Sequence, residues 1–334
     1  MFHGMHVELL IHSGWLNLQG WISISRLILQ DGKMHTNFKI GWIGLGVMGA
    51  PMCGHLLAAG YPVSVYTRSR HRAAPLLQAG ARWFESPRDV ADDADVIFTM
   101  VGTGQEVRDV YFSETGLFGS NIEGKLFVDM GTTAPSLSAE IAAYCDQHDA
   151  ACIDAPVSGG VIGARAATLS IMAGGRHRDI EKVSGLFACL GTLRHLGGHG
   201  SGQHGKMCNQ ITVAGSMIGV CEALVYAASV GLDRERLIAA ISSGAAACWA
   251  LDNLAPRIVE QDYAPGFMVD HFIKDLGIAV RECELMGLEL PGLALARSLY
   301  QKVSQLGHGR SGTQALIMAL DSSTGSNVAD MKSG

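Results

Sequence analysis

Lys206 is the only lysine or arginine between Arg194 and Arg234, and it lies early in a proline-free segment whose other charge, up to about Val230, is Glu222. The segment reads as a helix over Gln203 to Val230, buried on most sides. Burying an ammonium costs several kcal/mol unless it is paired or its pKa falls, and a lysine of lowered pKa can both give and take a proton. Position alone also allows a first-turn lysine whose head reaches water. What separates these readings is whether the rest of the chain offers Lys206 anything to protonate.

Two other groups of residues can do chemistry. Gly44-Leu45-Gly46-Val47-Met48-Gly49 follows the apolar run Lys39-Ile40-Gly41-Trp42-Ile43 and matches G-x-G-x-x-G. In that pattern the first glycine makes a tight turn, the second lets backbone approach a pyrophosphate, and the third lets the next helix pack on the strand. That helix, predicted over Ala50 to Ala59, turns its unpaired N–H groups toward the phosphates. The second group is Ser158-Gly159-Gly160, which follows Asp154-Ala155-Pro156-Val157. A hydroxyl beside exposed backbone N–H groups can hold a carboxylate; a plain tight turn would explain the glycines but has no need of the serine.

The elements that must position these groups alternate along the chain. Tyr61 to Tyr66, Ala81 to Phe84, Val96 to Met100 and Leu126 to Met130 read as strands. Helices over Ala73 to Ala79, Pro87 to Ala91 and Gln105 to Val110 fall between them, as successive βα units require. Ligands gather at the carboxyl edge of a parallel sheet, which predicts cofactor contacts from Met100, Val101 and Thr132. After the second strand comes Thr67-Arg68-Ser69-Arg70, with no acid until Glu85. Hydroxyls and arginine suit a ribose 2′-phosphate better than a 2′-hydroxyl, so Thr67 and Arg68 favour NADP(H) over NAD(H). After Gly202 the pattern is helical throughout, with helices over Arg234 to Ser242, Trp249 to Val259, Lys274 to Met286 and Pro291 to Leu306.

Four ordered stretches resemble the β-hydroxyacid dehydrogenase family: Gly44 to Met52, Asp154 to Gly160, Gly202 to Gln210, and Gly266-Phe267 through His271-Phe272-Ile273-Lys274-Asp275-Leu276. The family includes 3-hydroxyisobutyrate dehydrogenases, 2-hydroxy-3-oxopropionate reductases and glyoxylate/succinic semialdehyde reductases. The resemblance implies a 6-phosphogluconate dehydrogenase-like architecture: an α/β Rossmann domain over 38–200, then a long interdomain helix opening an all-α domain over 201–325 that builds a homodimer or homotetramer. It implies Lys206 as the proton donor and acceptor, and Ser158, Gly159 and Gly160 as the holders of a small carboxylate-bearing substrate. Asn209 or Gln210 would orient the substrate or the ammonium from the same helix face. Lys274 would lie over the nicotinamide side of the cleft, with Asp275 fixing a nearby lysine or hydroxyl. This chain departs from the family pattern with Gln210 where asparagine is common, Thr67 where asparagine often stands, and Ala167 where glycine is usual, which could narrow the substrate loop. An imine reductase would share the fold but place Asp or Tyr where Lys206 stands, and a non-catalytic dinucleotide-binding module would have no use for the lysine.

Composition agrees with a soluble enzyme of about two domains: 334 residues, 48% hydrophobic, 17% charged, net charge −6. No dense Lys/Arg run offers nucleic acid a footprint. No stretch among residues 7–30 is long and apolar enough to span a bilayer, and no secretory or transit signal is present, so a cytoplasmic protein without membrane partners is expected. Eight cysteines without a C-x-x-C pair read as reduced, mostly core thiols. His195, His199 and His204 share no helix face in their glycine-rich stretch, so no metal site is expected from them. Residues 1–37 read as an extension outside the fold, and residues 1–33 as the product of a start codon upstream of Met34.

Overall fold

The computed structural model describes residues 38–320. The reading of residues 1–37 as an extension lies outside them. Six strands run parallel: β1 (Ile40–Ile43), β2 (Val63–Tyr66), β3 (Arg82–Trp83), β4 (Val96–Thr99), β5 (Leu126–Asp129) and β6 (Ala151–Asp154). Their spatial order is β3-β2-β1-β4-β5-β6, the doubly wound order of a dinucleotide-binding sheet. Beyond β6 the sheet turns mixed. β8 (Leu169–Gly175) pairs antiparallel with β6 and with the short β7 (Val157–Ser158), and β9 (Gly191–Gly197) pairs parallel with β8.

Alternation along each strand sends side chains to opposite faces of the sheet. Ile40, Trp42, Val65, Phe98 and Val128 lie in one apolar layer. Ile43, Ile97 and Phe127 lie in the other. Trp42 stacks on Phe98 with ring centroids 5.3 Å apart. The helices that matter for the site are α1 (Gly49–Ala58), α2 (Gly104–Phe112), α3 (Pro135–Gln147), α4 (Ser201–Ser229), α5 (Val269–Met286) and α6 (Pro291–Val303). Met207, Ala214, Met217, Cys221 and Leu224 of α4 form a separate helical core with Phe272 and Leu276 of α5 and Leu293, Ala296 and Tyr300 of α6.

Three helical expectations change. The predicted helix over Trp249 to Val259 is two, Trp249–Asn253 and Ala255–Val259. Pro256 has no N–H to continue the ladder, so the chain breaks at Leu254 and restarts with the proline in its first turn. The helix carrying Lys274 begins five residues earlier than predicted, at Val269. The α4 helix is not buried on most sides: Lys206, Gln210, Ala214 and Met217 mark one covered face, while Val213, Tyr226 and Val230 are exposed. Length and mean hydropathy alone would let α4 cross a membrane, but its covered stripe belongs to the helical core.

Ala167 has φ 55° and ψ 38°, the left-handed conformation that ends the helix Gly160–Ala166. The usual glycine there is thus a matter of backbone conformation and not of room in the loop. A left-handed alanine costs roughly 1–2 kcal/mol, and glycine gives back part of the gain through unfolded-chain entropy. Ala167→Gly is expected to raise stability by about 0.5–1 kcal/mol in urea unfolding, and a variant no more stable than wild type would contradict the strain.

Candidate active site

The three glycines after β1 meet three different demands. Gly44 has φ 96°, and a Cβ there would strike the Met100 carbonyl. Gly49 packs on the Gly44 carbonyl and the Trp42 indole, so a side chain would push α1 off the strand. Gly46 has open space where a Cβ would point, which leaves the backbone approachable. Leu45 is buried and Val47 is exposed, with Met48 leading into α1. Tight turn, open approach and helix packing are what a dinucleotide pyrophosphate needs, and the residues present fit one.

Thr67 is buried at the end of β2, while Arg68 extends into solvent and pairs with Glu106 at 2.6 Å. The sequence reading finds no acid in this loop before Glu85; the fold brings one from α2. Glu106 is also half of a capping box, accepting from the Gly102 and Thr103 N–H groups while Thr103 Oγ1 accepts from Glu106 N. Met100 N donates to the Ile43 carbonyl, which sets Met100 and Val101 beside the glycine turn.

Lys206 is 8% exposed, and its Nζ donates to the Val157 carbonyl at 2.8 Å. That contact ties the ammonium to the residue before Ser158. Ser158 is half-buried, paired in register with Ser170, and Gly159 and Gly160 follow with φ 125° and 60°, both exposed. Burial lowers the Lys206 pKa to about 8, with Asp275 opposing the shift and Lys274 adding to it. The amides do not bond to Lys206. Gln210 is buried and its Nε2 donates to Asp275 Oδ2 at 2.7 Å, while Asn209 Nδ2 donates to Gln210 Oε1 at 2.8 Å. Lys274 Nζ donates to the Gly102 and Thr132 carbonyls, both at 2.9 Å, and ion-pairs with Asp275 at 3.0 Å. Residues after β4 and β5 are thereby joined to α5 and, through Gln210, to the helix of Lys206.

A second network goes unnoticed in the sequence. Asp154, the last residue of β6, accepts from Gly200 N at 2.7 Å and Gln203 N at 2.9 Å, capping α4 from 46 and 49 residues away. Gln203 is fully buried; its Oε1 accepts from Thr133 N at 3.0 Å and its Nε2 donates to the Gly131 carbonyl at 2.8 Å. Asp129 accepts from Thr99 Oγ1 at 2.8 Å and Gly131 N at 3.1 Å. Burial raises the Asp129 pKa to about 6 and also raises that of Asp154, each against donors that favour the carboxylate. The available signal is an acid ending each of two adjacent strands, Leu126–Asp129 and Ala151–Asp154.

Among the described residues no group of three or more His, Cys, Asp or Glu gathers as a metal site. His195 does not meet His204 or His199; its Nδ1 faces His177, and His199 contacts the buried Cys152.

Comparison with known proteins places this arrangement. Residues 39–210 match the NAD binding domain of 6-phosphogluconate dehydrogenase. Residues 200–320 match the NAD-binding region of NADP-dependent 3-hydroxyisobutyrate dehydrogenase. The chain belongs to the β-hydroxyacid dehydrogenase family, a group of NAD(P)-binding oxidoreductases. It is 46% identical over 89% of its length to 89% of a probable 3-hydroxyisobutyrate dehydrogenase-like protein 1, mitochondrial, of Arabidopsis thaliana. It is 37% identical to 2-hydroxy-3-oxopropionate reductase of Escherichia coli, over 85% of this chain and 97% of that one. The structure of Mycobacterium tuberculosis 3-hydroxyisobutyrate dehydrogenase with L-serine superimposes with a TM-score of 0.79 at 31% identity, covering 85% of this chain and 99% of that one.

Asp154→Ala leaves two buried N–H groups at the head of α4 without an acceptor. Urea unfolding is expected to show a loss of about 1–3 kcal/mol, partly restored in Asp154→Asn. Unchanged stability would show that the cap contributes nothing.

Proposed function

We propose that the protein transfers hydride between NADP(H) and a small 3-hydroxy acid or its semialdehyde, of the 3-hydroxyisobutyrate dehydrogenase or 2-hydroxy-3-oxopropionate reductase type. The observation that carries this reading is a buried lysine of lowered pKa, held at the mouth of a serine-glycine turn and linked through Gln210, Asp275 and Lys274 to the edge of a dinucleotide-binding sheet. Ser158 and the backbone of Gly159 and Gly160 hold the substrate carboxylate. Gly44, Gly46 and Gly49 hold the pyrophosphate, and Thr67 and Arg68 take the ribose 2′-phosphate, for which Arg68 exchanges its partner Glu106. Bound nicotinamide supplies or accepts the hydride at the carbonyl or carbinol carbon. Lys206 gives its Nζ proton to the carbonyl oxygen in reduction and removes the hydroxyl proton in oxidation. Gln210 and Asn209 act by holding Asp275, whose charge opposes the downward shift of the Lys206 pKa.

Side-chain selectivity falls to residues around Phe267 and His271, whose rings lie 6.5 Å apart, and to the exposed Trp249. Leu251, two residues after Trp249, is buried in the helical core and does not face a pocket wall from there. Apolar pockets separate neighbouring homologues by only about 1–3 kcal/mol per methylene, so glyoxylate and succinic semialdehyde remain the competing substrates. The mycobacterial structure adds L-serine, itself a 3-hydroxy acid, to the compounds worth assaying. The uncovered Val213 and Tyr226 of α4, with Val230 just past its end, support assembly of two or more chains through the helical half.

Four measurements test these proposals. Lys206→Ala is expected to keep its fold and bind NADPH while losing about 10²–10⁴ of kcat, and turnover within tenfold of wild type would sink the assignment. With the wild-type lysine titrating near 8, kcat/KM for reduction with NADPH falls above that pH as the donor is lost, and kcat/KM for oxidation rises toward it as the acceptor forms. Better turnover with NADH than NADPH would reverse the cofactor preference, and tight NADPH binding with no turnover of any semialdehyde would point to a binding module. In light scattering, a particle mass of 35.4 kDa would rule out assembly, and a multiple of that mass is expected.

A further inference from the structure

The described surface away from Lys206 carries one arrangement that the proposed reaction does not use. His195 lies in β9, and its Nε2 sits 3.0 Å from the Gly175 carbonyl and 2.8 Å from the Gly197 carbonyl. Carbonyl oxygens only accept, so Nε2 carries the proton and the neutral ring has its lone pair on Nδ1. His177 opens the helix His177–Lys182, and its Nε2 sits 3.1 Å from Glu181 Oε1. A carboxylate also only accepts, so His177 carries a proton on Nε2, and its neutral ring has its lone pair on Nδ1. These two Nδ1 atoms lie 3.4 Å apart. The ring planes differ by 19° and the centroids are 5.4 Å apart, well beyond the nitrogen separation, so both rings extend away from the gap and present their Nδ1 edges to each other.

Two lone pairs brought this close repel each other unless a cation occupies the space between them. Nitrogens bound at about 2.0–2.1 Å to one tetrahedral ion stand about 3.4 Å apart. Metal-bound imidazoles characteristically donate their other N–H to a carboxylate or a backbone carbonyl, and both kinds of partner are in place here. We propose that His177 and His195 form a two-imidazole site for a divalent first-row transition ion such as Zn²⁺, with Glu181 and the Gly175 and Gly197 carbonyls fixing the tautomers and water completing the coordination sphere. Imidazole suits zinc, copper and nickel, whereas magnesium and calcium prefer oxygen ligands. The bound ion ties the helix His177–Lys182 to β9, the strand that ends four residues before α4 begins at Ser201. It is a clamp on the segment leading to Lys206 and takes no part in the hydride chemistry.

The test uses the full chain without a histidine tag, stripped with a chelator and titrated with zinc against a chromophoric competitor near neutral pH. One saturable equivalent per chain is expected, with a rise in the thermal unfolding midpoint as zinc is added. His177→Ala, a change at an exposed position, is expected to weaken zinc binding by at least about tenfold, and Glu181→Gln by about 10- to 100-fold. Cys208→Ser, at the exposed thiol, leaves binding unchanged, and zinc-free His177→Ala retains wild-type turnover. No saturable zinc binding by the wild-type chain would overturn the site and leave a shared proton as the occupant of the gap. Equal affinity in wild type and His177→Ala would overturn it as well, by placing any bound zinc elsewhere.

Discussion

The arrangement of the site depends on one carboxylate. Asp154 ends β6 and accepts the Gly200 and Gln203 N–H groups at the head of α4. The first turn of any helix has N–H groups without partners, and Gly200 provides no side chain to cap this one. By capping α4 from the sheet, Asp154 fixes where the helix starts and which side of it faces the strand ends. Gln203, bonded to Gly131 and Thr133, prevents rotation about that cap. Lys206 follows three residues later on the same face, and its Nζ reaches the Val157 carbonyl, three residues beyond Asp154 in the other segment. The cap and the ammonium contact thus pin the same two stretches of chain together, at points about one helical turn apart.

The same logic accounts for the burial of charge around this point. Asp129 and Asp154 sit at the ends of adjacent parallel strands, and the charge of Asp154 adds to burial in raising the cost of ionising Asp129. Their hydrogen bonds from Thr99, Gly131, Gly200 and Gln203 offset that cost. Truncating either partner of such a pair leaves the survivor buried and unsatisfied, so the network holds the two halves of the chain in one relative position more firmly than its net stabilisation suggests.

What the sequence reveals about this protein follows the range of each interaction. Gly44, Gly46 and Gly49 are readable because their pattern fills six consecutive residues between an apolar strand and a helix, although the contact that excludes a side chain at Gly44 comes from Met100 on another strand. Lys206 is conspicuous because its neighbours are apolar, which is again local. The pairings of Arg68 with Glu106, Lys274 with the Gly102 and Thr132 carbonyls, Gln210 with Asp275 and His195 with His177 join residues 18 to 172 positions apart. Residue type alone does not select among the partners that such separations allow; strand order does. Pro256 marks the break at Leu254, but the apolar pattern continues across it and hides the interruption. The exposed side of α4 misleads for a different reason: the hydropathy of a segment does not say which of its faces this chain covers.

The balance of charge around Lys206 gives its position a chemical consequence. Burial alone favours the neutral amine, Lys274 adds repulsion, and Asp275 pulls back toward the ammonium, leaving the group near 8 and able to exist in either form at neutral pH. Each guest changes that balance in a known direction. A carboxylate held at Ser158 adds negative charge and favours the ammonium, the form that reduction requires. An oxidised nicotinamide adds positive charge and favours the amine, the form that oxidation requires. Under the proposed reaction the carboxylate is common to both directions, so the charge on the nicotinamide is what would shift the lysine between ammonium and amine. Gln210 Nε2 and Lys274 Nζ each hold one oxygen of Asp275, so its charge reaches Lys206 from a fixed position.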